Sequence, residues 1–188
     1  PLPSSLPQEV SVFEAGWPSA VTPSDASVDS EEWEALRALR DLANKGIEQA
    51  RNDKTIGASL EAKIVVHAEA GTSLASALEK YVSNSNGVDE LKYILLTSGV
   101  EVVGTAEEAK AAGSLASIAD TELECTVGVA NADGAKCERC WHFSTDIVPD
   151  GNYPGTCVRC INALTEMKFA PVTLKPVDAE LAVEEVAA

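Results

Sequence analysis

Five cysteines are the residues of this chain whose type and spacing could do chemistry, and four of them fall into two pairs. Cys137 and Cys140 form one C-x-x-C turn, Cys157 and Cys160 form a second, and sixteen residues separate the two. Two such turns placed face to face supply four sulfurs at the corners of a tetrahedron, which Zn²⁺ prefers in a closed structural site. The separation also falls within the spacing that is typical of zinc sites. We therefore predict one structural Zn²⁺ bound by these four cysteines.

The alternatives for these cysteines are disulfides, free thiols and thiol redox chemistry. Disulfides do not persist in a reducing compartment, and a C-x-x-C loop is very short for a structural bridge. A redox C-x-x-C is usually a single motif beside a βαβ pattern and not a facing pair, which argues against redox chemistry. Redox chemistry stays the main alternative to zinc. His142 could compete as a ligand, but with four well-spaced cysteines we expect it to be a surface or contact residue. Cys125 lies in an alternating run and is predicted to be a small buried apolar residue.

Composition and length bound the class of protein. A chain of 188 residues with 45% apolar residues can bury the core of one ordinary domain or two small ones. No run of 18 or more apolar residues is present, so no membrane span is predicted. The chain starts at Pro1 rather than Met, which indicates a processed product or a piece of a longer chain. We expect a reducing compartment, either the cytoplasm or an organelle matrix or stroma if Pro1 marks a transit-peptide junction.

The net charge of −16 is unusual for a nucleic-acid binder, which commonly carries a basic footprint. The charge is unevenly distributed. Residues 57–131 hold eleven acidic against four basic residues, whereas 31–56 hold six against five and 132–170 hold five against four. If the chain contacts a polyanion, the contacts should come from the two nearly neutral segments.

The pattern along the chain predicts five segments and an α+β fold. Residues 1–30 are predicted to be extended and partly disordered, and residues 31–56 form a leading helix. Residues 57–131 form a small α+β domain, a mixed sheet of three or more strands with flanking helices. Residues 132–170 form a C-terminal Cys₄ zinc ribbon, and residues 171–188 form a flexible acidic tail.

Particular elements within these segments follow from hydrophobic periodicity. The leading helix carries an apolar stripe from Trp33 to Ala50, in which Gly46 is a soft spot that costs about 1 kcal/mol relative to alanine. Strands are predicted at 63–68, 99–104 and 122–130. Helices are predicted at 73–82 and 161–167, residues 88–96 form either a helix or a strand, and the alanine-rich stretch 106–118 is weakly specified. Val12, Phe13 and Trp17 are expected to pack against a neighbouring element, and a turn is expected at 84–87.

Catalytic patterns are not found in the sequence. It has no glycine-rich phosphate loop and no Ser/His/Asp pattern, and its two histidines are His67 and His142. His67, at the end of a predicted strand, is expected to be a structural histidine with satisfied hydrogen bonds. We therefore predict no active site within this chain.

Several stretches resemble one known family. The words K-C-E-R-C-W-H-F (136–143) and C-V-R-C (157–160) resemble the C-terminal zinc finger of bacterial-type isoleucyl-tRNA synthetases, and a related finger closes formamidopyrimidine-DNA glycosylases. Three further stretches resemble the synthetase alone: S-V-F-E-A-G-W-P, the run from Trp33 to Ala68, and L-K-Y-I-L-L-T-S-G-V (91–100). The run from Trp33 is similar to the last helix of the synthetase's anticodon-binding bundle and to the segment that leads from this bundle into the C-terminal region.

The resemblance implies an RNA-reading region without the catalytic or editing domain, in which the helix and the zinc module bind the anticodon stem-loop of tRNA. The acidic tail and the net charge depart from the family pattern. If the family role is kept, the RNA contacts are expected at Arg37, Arg40 and Arg51 on the helix and at Lys136, Arg139, Trp141, Phe143, Arg159 and Lys168 around the cysteines.

Two points stay open from the sequence. Trp141 and Phe143 either cover the core of the small ribbon or stack on an unpaired anticodon base. The chain as a whole is either the tRNA-recognition part of an isoleucine–tRNA ligase or a stand-alone accessory subunit that no longer binds tRNA. In the second case its partners are protein subunits of a larger assembly, met through their basic surfaces.

Overall fold

A long amphipathic helix leads the fold. The computed structural model describes residues 30–82 and 90–171, and helix α1 spans Ser30–Asn52. Its buried stripe agrees with the predicted one and consists of Leu36, Leu39, Leu42, Ala43, Gly46, Ile47 and Ala50. Trp33 lies at the edge of this stripe, with its ring centroid 5.8 Å from that of Tyr81. The predictions for Val12, Phe13, Trp17, the turn at 84–87 and residues 172–188 lie outside the described residues.

Four strands form the mixed sheet on which α1 packs. They are β1 (Ala62–Ala68), β2 (Gly99–Val102), β3 (Ala116–Asp120) and β4 (Cys125–Asn131), and they lie in the order β2-β1-β4-β3. Strand β1 runs parallel to β2 and antiparallel to β4, and β3 pairs antiparallel with β4. The predicted mixed sheet is therefore confirmed, with one more strand than the three that the sequence pattern located.

Helices cover both faces of this sheet. Helix α1 packs with α2 (Ser73–Val82) and α3 (Glu90–Leu95), so residues 88–96 contain a helix rather than a strand. Helix α4 (Ala106–Ala112) packs on β1 and β4. Because side chains alternate along a strand, Val129 of β4 faces α1 while Gly128 faces α4. The buried residues of α1, α2, α3 and the sheet form one apolar cluster.

The missed elements lie in the alanine-rich stretch that the sequence left weakly specified. Thr105 caps α4: its hydroxyl accepts from the Glu108 N–H at 3.2 Å, and the Glu108 carboxylate accepts from the Thr105 N–H at 3.1 Å. A side chain at Gly128 would collide with the carbonyl oxygen of Ala109. Gly128 thus allows the backbone of α4 to approach β4 closely.

Gly46 is the second position where glycine is required by a close approach. A Cβ atom at Gly46 would lie 2.7 Å from Cγ2 of Val129, closer than real contacts allow. Besides the cost in helix propensity that the sequence predicted, Gly46 therefore has a packing role that the sequence did not show. Because Gly46 has no side chain, α1 can pack closely against β4.

Residues 135–166 form the ribbon, built from two short hairpins and a helix. Strand β5 (Ala135–Lys136) pairs with β6 (Phe143–Ser144), and β7 (Ile147–Val148) pairs with β8 (Thr156–Cys157). Helix α5 (Val158–Glu166) follows, beginning three residues before the predicted 161. The α+β fold class with a four-cysteine ribbon is confirmed. None of the helices in the described part of the chain is both long and apolar enough to cross a membrane.

Candidate metal centre

Backbone hydrogen bonds close the first C-x-x-C turn, residues 137–140, which we call the first knuckle. The Cys137 N–H donates to the His142 carbonyl at 2.9 Å, and the Trp141 N–H donates to the Cys137 carbonyl at 2.9 Å. Trp141 takes a left-handed conformation with φ of 66°, which turns the chain back into β6. The knuckle is therefore held at its base by the β5–β6 hairpin.

The second knuckle, residues 157–160, joins β8 to α5 and packs against the first. The Glu138 N–H donates to the Gly155 carbonyl at 3.0 Å, and the Cys157 N–H donates to the Cys137 sulfur at 3.3 Å. A Cβ atom at Gly155 would lie 2.8 Å from Cγ of Glu138, so a glycine allows this approach too. These contacts join the knuckles directly.

The four sulfurs form a cluster with the dimensions of a zinc site. All of them lie within 4.8 Å of one another, and Cys140 Sγ is 3.8 Å from Cys157 Sγ. Zn–S bonds of about 2.3 Å in a tetrahedron place two sulfurs about 3.8 Å apart. Cys137, Cys157 and Cys160 are buried and Cys140 is partly buried. The donor set and its spacing thus fit a closed structural Zn²⁺ site.

The protein environment treats the four thiols unequally. Burial acts to raise the pKa of Cys137, but hydrogen bonds from the backbone of Cys140, Cys157 and Arg139 lower it to about 6. Burial raises the pKa of Cys157 to about 12, against a hydrogen bond from the backbone of Cys160. Burial also raises the pKa of Cys160. A bound divalent cation offsets this cost, since it stabilises the thiolates of its ligands together.

The remaining cysteine and the two histidines lie outside this cluster. Cys125 is 5% exposed and belongs to the sheet core, as predicted, and burial raises the pKa of its thiol to about 11. His142 is a contact residue: its Nδ1 lies 3.1 Å from the Cys140 carbonyl, and its ring meets that of Tyr93 edge-on at 5.5 Å. His67 Nδ1 lies 3.3 Å from the Val103 carbonyl, which agrees with a structural histidine.

The three arginines predicted to contact RNA on α1 lie on a different element from the two knuckles. Arg37, Arg40 and Arg51 are exposed, and Arg51 pairs with Glu48 at 2.7 Å. Helix α1 packs on α2, α3, β3 and β4. The ribbon meets this body elsewhere, where the Phe143 N–H donates to Ser98 Oγ at 2.8 Å.

Around the knuckles, the residues predicted to contact RNA differ in exposure and in what they contact. Lys136 and Lys168 are exposed, and Lys136 Nζ lies 5.5 Å from the centroid of the Trp141 ring. Trp141 is 62% exposed, so it does not cover the ribbon core, whereas Phe143 is half-buried. Arg139 and Arg159 are instead directed at the cysteine sulfurs.

An apolar groove beside the first knuckle was not predicted from the sequence. It has a volume of about 940 Å³ and runs from Trp141 past Tyr153 to Met167 and Phe169. Met167 is 67% exposed and Phe169 is 55% exposed, which is unusual for large apolar side chains in so small a module. The signal in the sequence was a pair of large apolar residues, one at the predicted end of the last helix and one just beyond it. A second cluster that was not foreseen joins Lys92, Tyr93 and His142 beside Cys140.

Known proteins match both the ribbon and most of the chain. A family model described as the zinc finger found in FPG and IleRS matches residues 134–163. Over 163 residues the chain is 40% identical to an isoleucine–tRNA ligase of a Nostoc species, and over 171 residues it is 40% identical to that of Nostoc punctiforme; each alignment covers 87% of this chain. It is 36% identical over 159 residues to a chloroplastic/mitochondrial isoleucine–tRNA ligase of Arabidopsis thaliana, with 81% of this chain covered.

These relatives are much longer than the chain, which spans 16%, 17% and 14% of their respective lengths. The match to a zinc finger, together with the four-sulfur cluster, confirms the prediction of one structural zinc. The similarity outside residues 134–163 separates the synthetase resemblance from the glycosylase one, because the ligase alignments extend over the helix and the sheet as well. The chain therefore corresponds to the C-terminal, zinc-finger-bearing region of isoleucine–tRNA ligases.

Proposed function

We propose that this chain binds the anticodon stem-loop of an isoleucine tRNA, as the non-catalytic recognition part of an isoleucine–tRNA ligase. In this proposal Cys137, Cys140, Cys157 and Cys160 are the four zinc ligands and hold the ribbon in shape. The single observation that carries the RNA-binding role is the exposed Trp141 beside the zinc cluster, with a lysine over its ring.

Trp141 has the features of a stacking platform for an unpaired base. Its backbone is fixed by the hydrogen bond to Cys137 and by the turn of the first knuckle, so its exposed ring needs little ordering on binding. Lys136 adds a positive charge beside the ring, which would attract the phosphate backbone of a bound RNA. Stacking on an aromatic side chain contributes about 1–3 kcal/mol per base.

Few basic residues accompany this platform. Lys136 and Lys168 are exposed on the ribbon, and Arg37, Arg40 and Arg51 are exposed on α1. We propose these five for phosphate contacts, and we assign Arg139 and Arg159 mainly to the sulfur cluster. So few contacts predict weak binding by the isolated chain and a shallow dependence of affinity on salt.

The sheet region is proposed to face away from the RNA. Residues 57–131 carry eleven acidic and four basic residues, and that excess would repel phosphate. We further propose that residues 132–170 fold as a separate unit around the metal, and that the protein works in a reducing compartment of the cytoplasm or an organelle. The printed name of the Arabidopsis relative, chloroplastic/mitochondrial, is compatible with the second location.

One observation favours a second candidate function. The net charge of −16 suits a chain whose acidic surface binds a basic protein partner. In that case the chain is an accessory subunit of a larger assembly and Trp141 contacts protein rather than RNA.

Titration of the whole chain with the anticodon stem-loop at low salt separates the two functions. Trp141→Ala should weaken binding by roughly tenfold to a hundredfold, the loss expected for one stacked base. Trp33→Ala is the matched control, because Trp33 is a partly exposed tryptophan on α1. Zinc content should be the same in both variants. If the parent chain does not bind the stem-loop even at low salt, the accessory-subunit function is the one to keep.

A further inference from the structure

The two knuckles share an arginine at the same position. Arg139 directly precedes Cys140, and Arg159 directly precedes Cys160, so each knuckle reads C-x-R-C. Arginine carries a planar fork of N–H donors that can reach several acceptors at once. A repeated arginine beside a metal ligand therefore raises the question of what each fork contacts.

Each arginine reaches across to a sulfur of the opposite knuckle. Nη1 of Arg139, in the first knuckle, lies 3.6 Å from Sγ of Cys160 in the second. Arg159, in the second knuckle, lines the same small cleft as Cys140 of the first, and its positive charge interacts with the Cys140 sulfur. The two contacts form a reciprocal, crossed pair around the cluster.

The sheet region holds Arg159 in this orientation. Its guanidinium carbon lies 5.4 Å from the centroid of the Tyr93 ring, which belongs to α3. Arg139, the other arginine, lines the apolar groove. Arg159 is thus contacted from outside the ribbon.

The charge of a zinc–thiolate centre gives these contacts a role. Four thiolates around Zn²⁺ leave a net charge of about −2, which is costly in a partly buried site unless positive groups or N–H donors face the sulfurs. Two guanidinium groups supply about the opposite charge and direct N–H donors at two of the ligands. We infer that Arg139 and Arg159 form a crossed pair of positioning residues that hold the two knuckles together around the zinc and slow its release.

The test measures the rate of zinc transfer from the whole chain to an excess of a chromogenic chelator. Arg139→Met and Arg159→Met should each release zinc about tenfold faster than the parent, the loss typical of removing a partner of a metal ligand. Arg139→Lys and Arg159→Lys should fall between, because lysine keeps the charge but loses the fork. Lys45→Met, which removes an exposed positive charge from α1, is the control and should change the rate by less than about twofold.

Substitution of Co²⁺ for zinc supplies a second readout that does not depend on RNA binding. In the arginine variants the d–d bands of a tetrahedral site should persist and the sulfur-to-cobalt charge-transfer band should shift, because hydrogen bonds to the sulfurs are lost. If a methionine variant fails to load metal, the lysine variants decide the question. Release rates within about twofold of the parent in the lysine variants and in every methionine variant that loads metal would overturn the inference.

Discussion

Replacing Gly46 with alanine sets helix propensity against packing at one contact between α1 and β4. On an exposed helix face this change would stabilise the fold by about 1 kcal/mol, because glycine is the poorer helix former. Gly46 is buried, however, and the new Cβ atom would lie 2.7 Å from Cγ2 of Val129. Val129 is fully buried and β-branched, so its side chain cannot rotate away easily.

The packing effect should win. Forcing an extra methyl group into a close-packed core costs about 1–3 kcal/mol, and the middle of that range exceeds the gain in propensity by about 1 kcal/mol. The other neighbours of the new atom, Ile118 Cδ1 at 3.6 Å and Ala116 Cβ at 3.9 Å, are at ordinary contact distance and add no strain. We therefore expect Gly46→Ala to lower the free energy of unfolding by about 1 kcal/mol.

Urea unfolding followed by circular dichroism measures this change, and two variants make it specific. Asn44→Ala, on the exposed face of α1, should stabilise the fold slightly, because only propensity changes there. In the double variant Gly46→Ala/Val129→Ala the clashing Cγ2 atom is absent, so the two effects should be less than additive. A Gly46→Ala variant that is about 1 kcal/mol more stable than the parent would refute the packing argument.

Two further outcomes follow from the same structure. Cys137→Ser should release the zinc and unfold residues 135–170 while the sheet region stays folded, as measured by metal content and circular dichroism; retention of one zinc per chain would contradict the ligand assignment. Glu107→Lys should leave tRNA affinity unchanged or slightly raised, whereas Glu108→Lys should also cost about 1 kcal/mol of stability, because Glu108 completes the cap of α4 with Thr105. A large loss of RNA binding in Glu107→Lys would place the sheet region at the RNA.

The features that the sequence predicted correctly depend on local spacing. Two C-x-x-C pairs constrain four sulfurs through short turns, so the cluster followed from the motif alone. The buried stripe on α1 repeats at helical spacing over several turns, and this spacing indicates which face of the helix is buried. Strands β1 and β4 are seven residues long each, which is enough for their apolar residues to indicate a buried strand.

The features that were missed depend on contacts between distant parts of the chain. Strand β3 is short, and its alternation is weak because Ala116 and Ala119 carry little apolar surface. The role of Gly46 depends on Val129, which lies far along the chain. Likewise Arg139 and Arg159 resemble phosphate ligands in sequence, and only the packing of one knuckle on the other brings them to sulfur.

Fluorescence of Trp141 during titration with RNA tests the central claim most directly. The chain has three tryptophans, so replacing Trp17 and Trp33 with phenylalanine leaves Trp141 as the sole reporter. If an unpaired anticodon base stacks on this ring, emission should be quenched to saturation by the isoleucine anticodon stem-loop, and much less by a fully paired RNA hairpin stem. Unchanged Trp141 emission, with zinc bound and with the stem-loop present well above the concentrations used in the low-salt titration, would contradict the proposal that this zinc ribbon reads the anticodon.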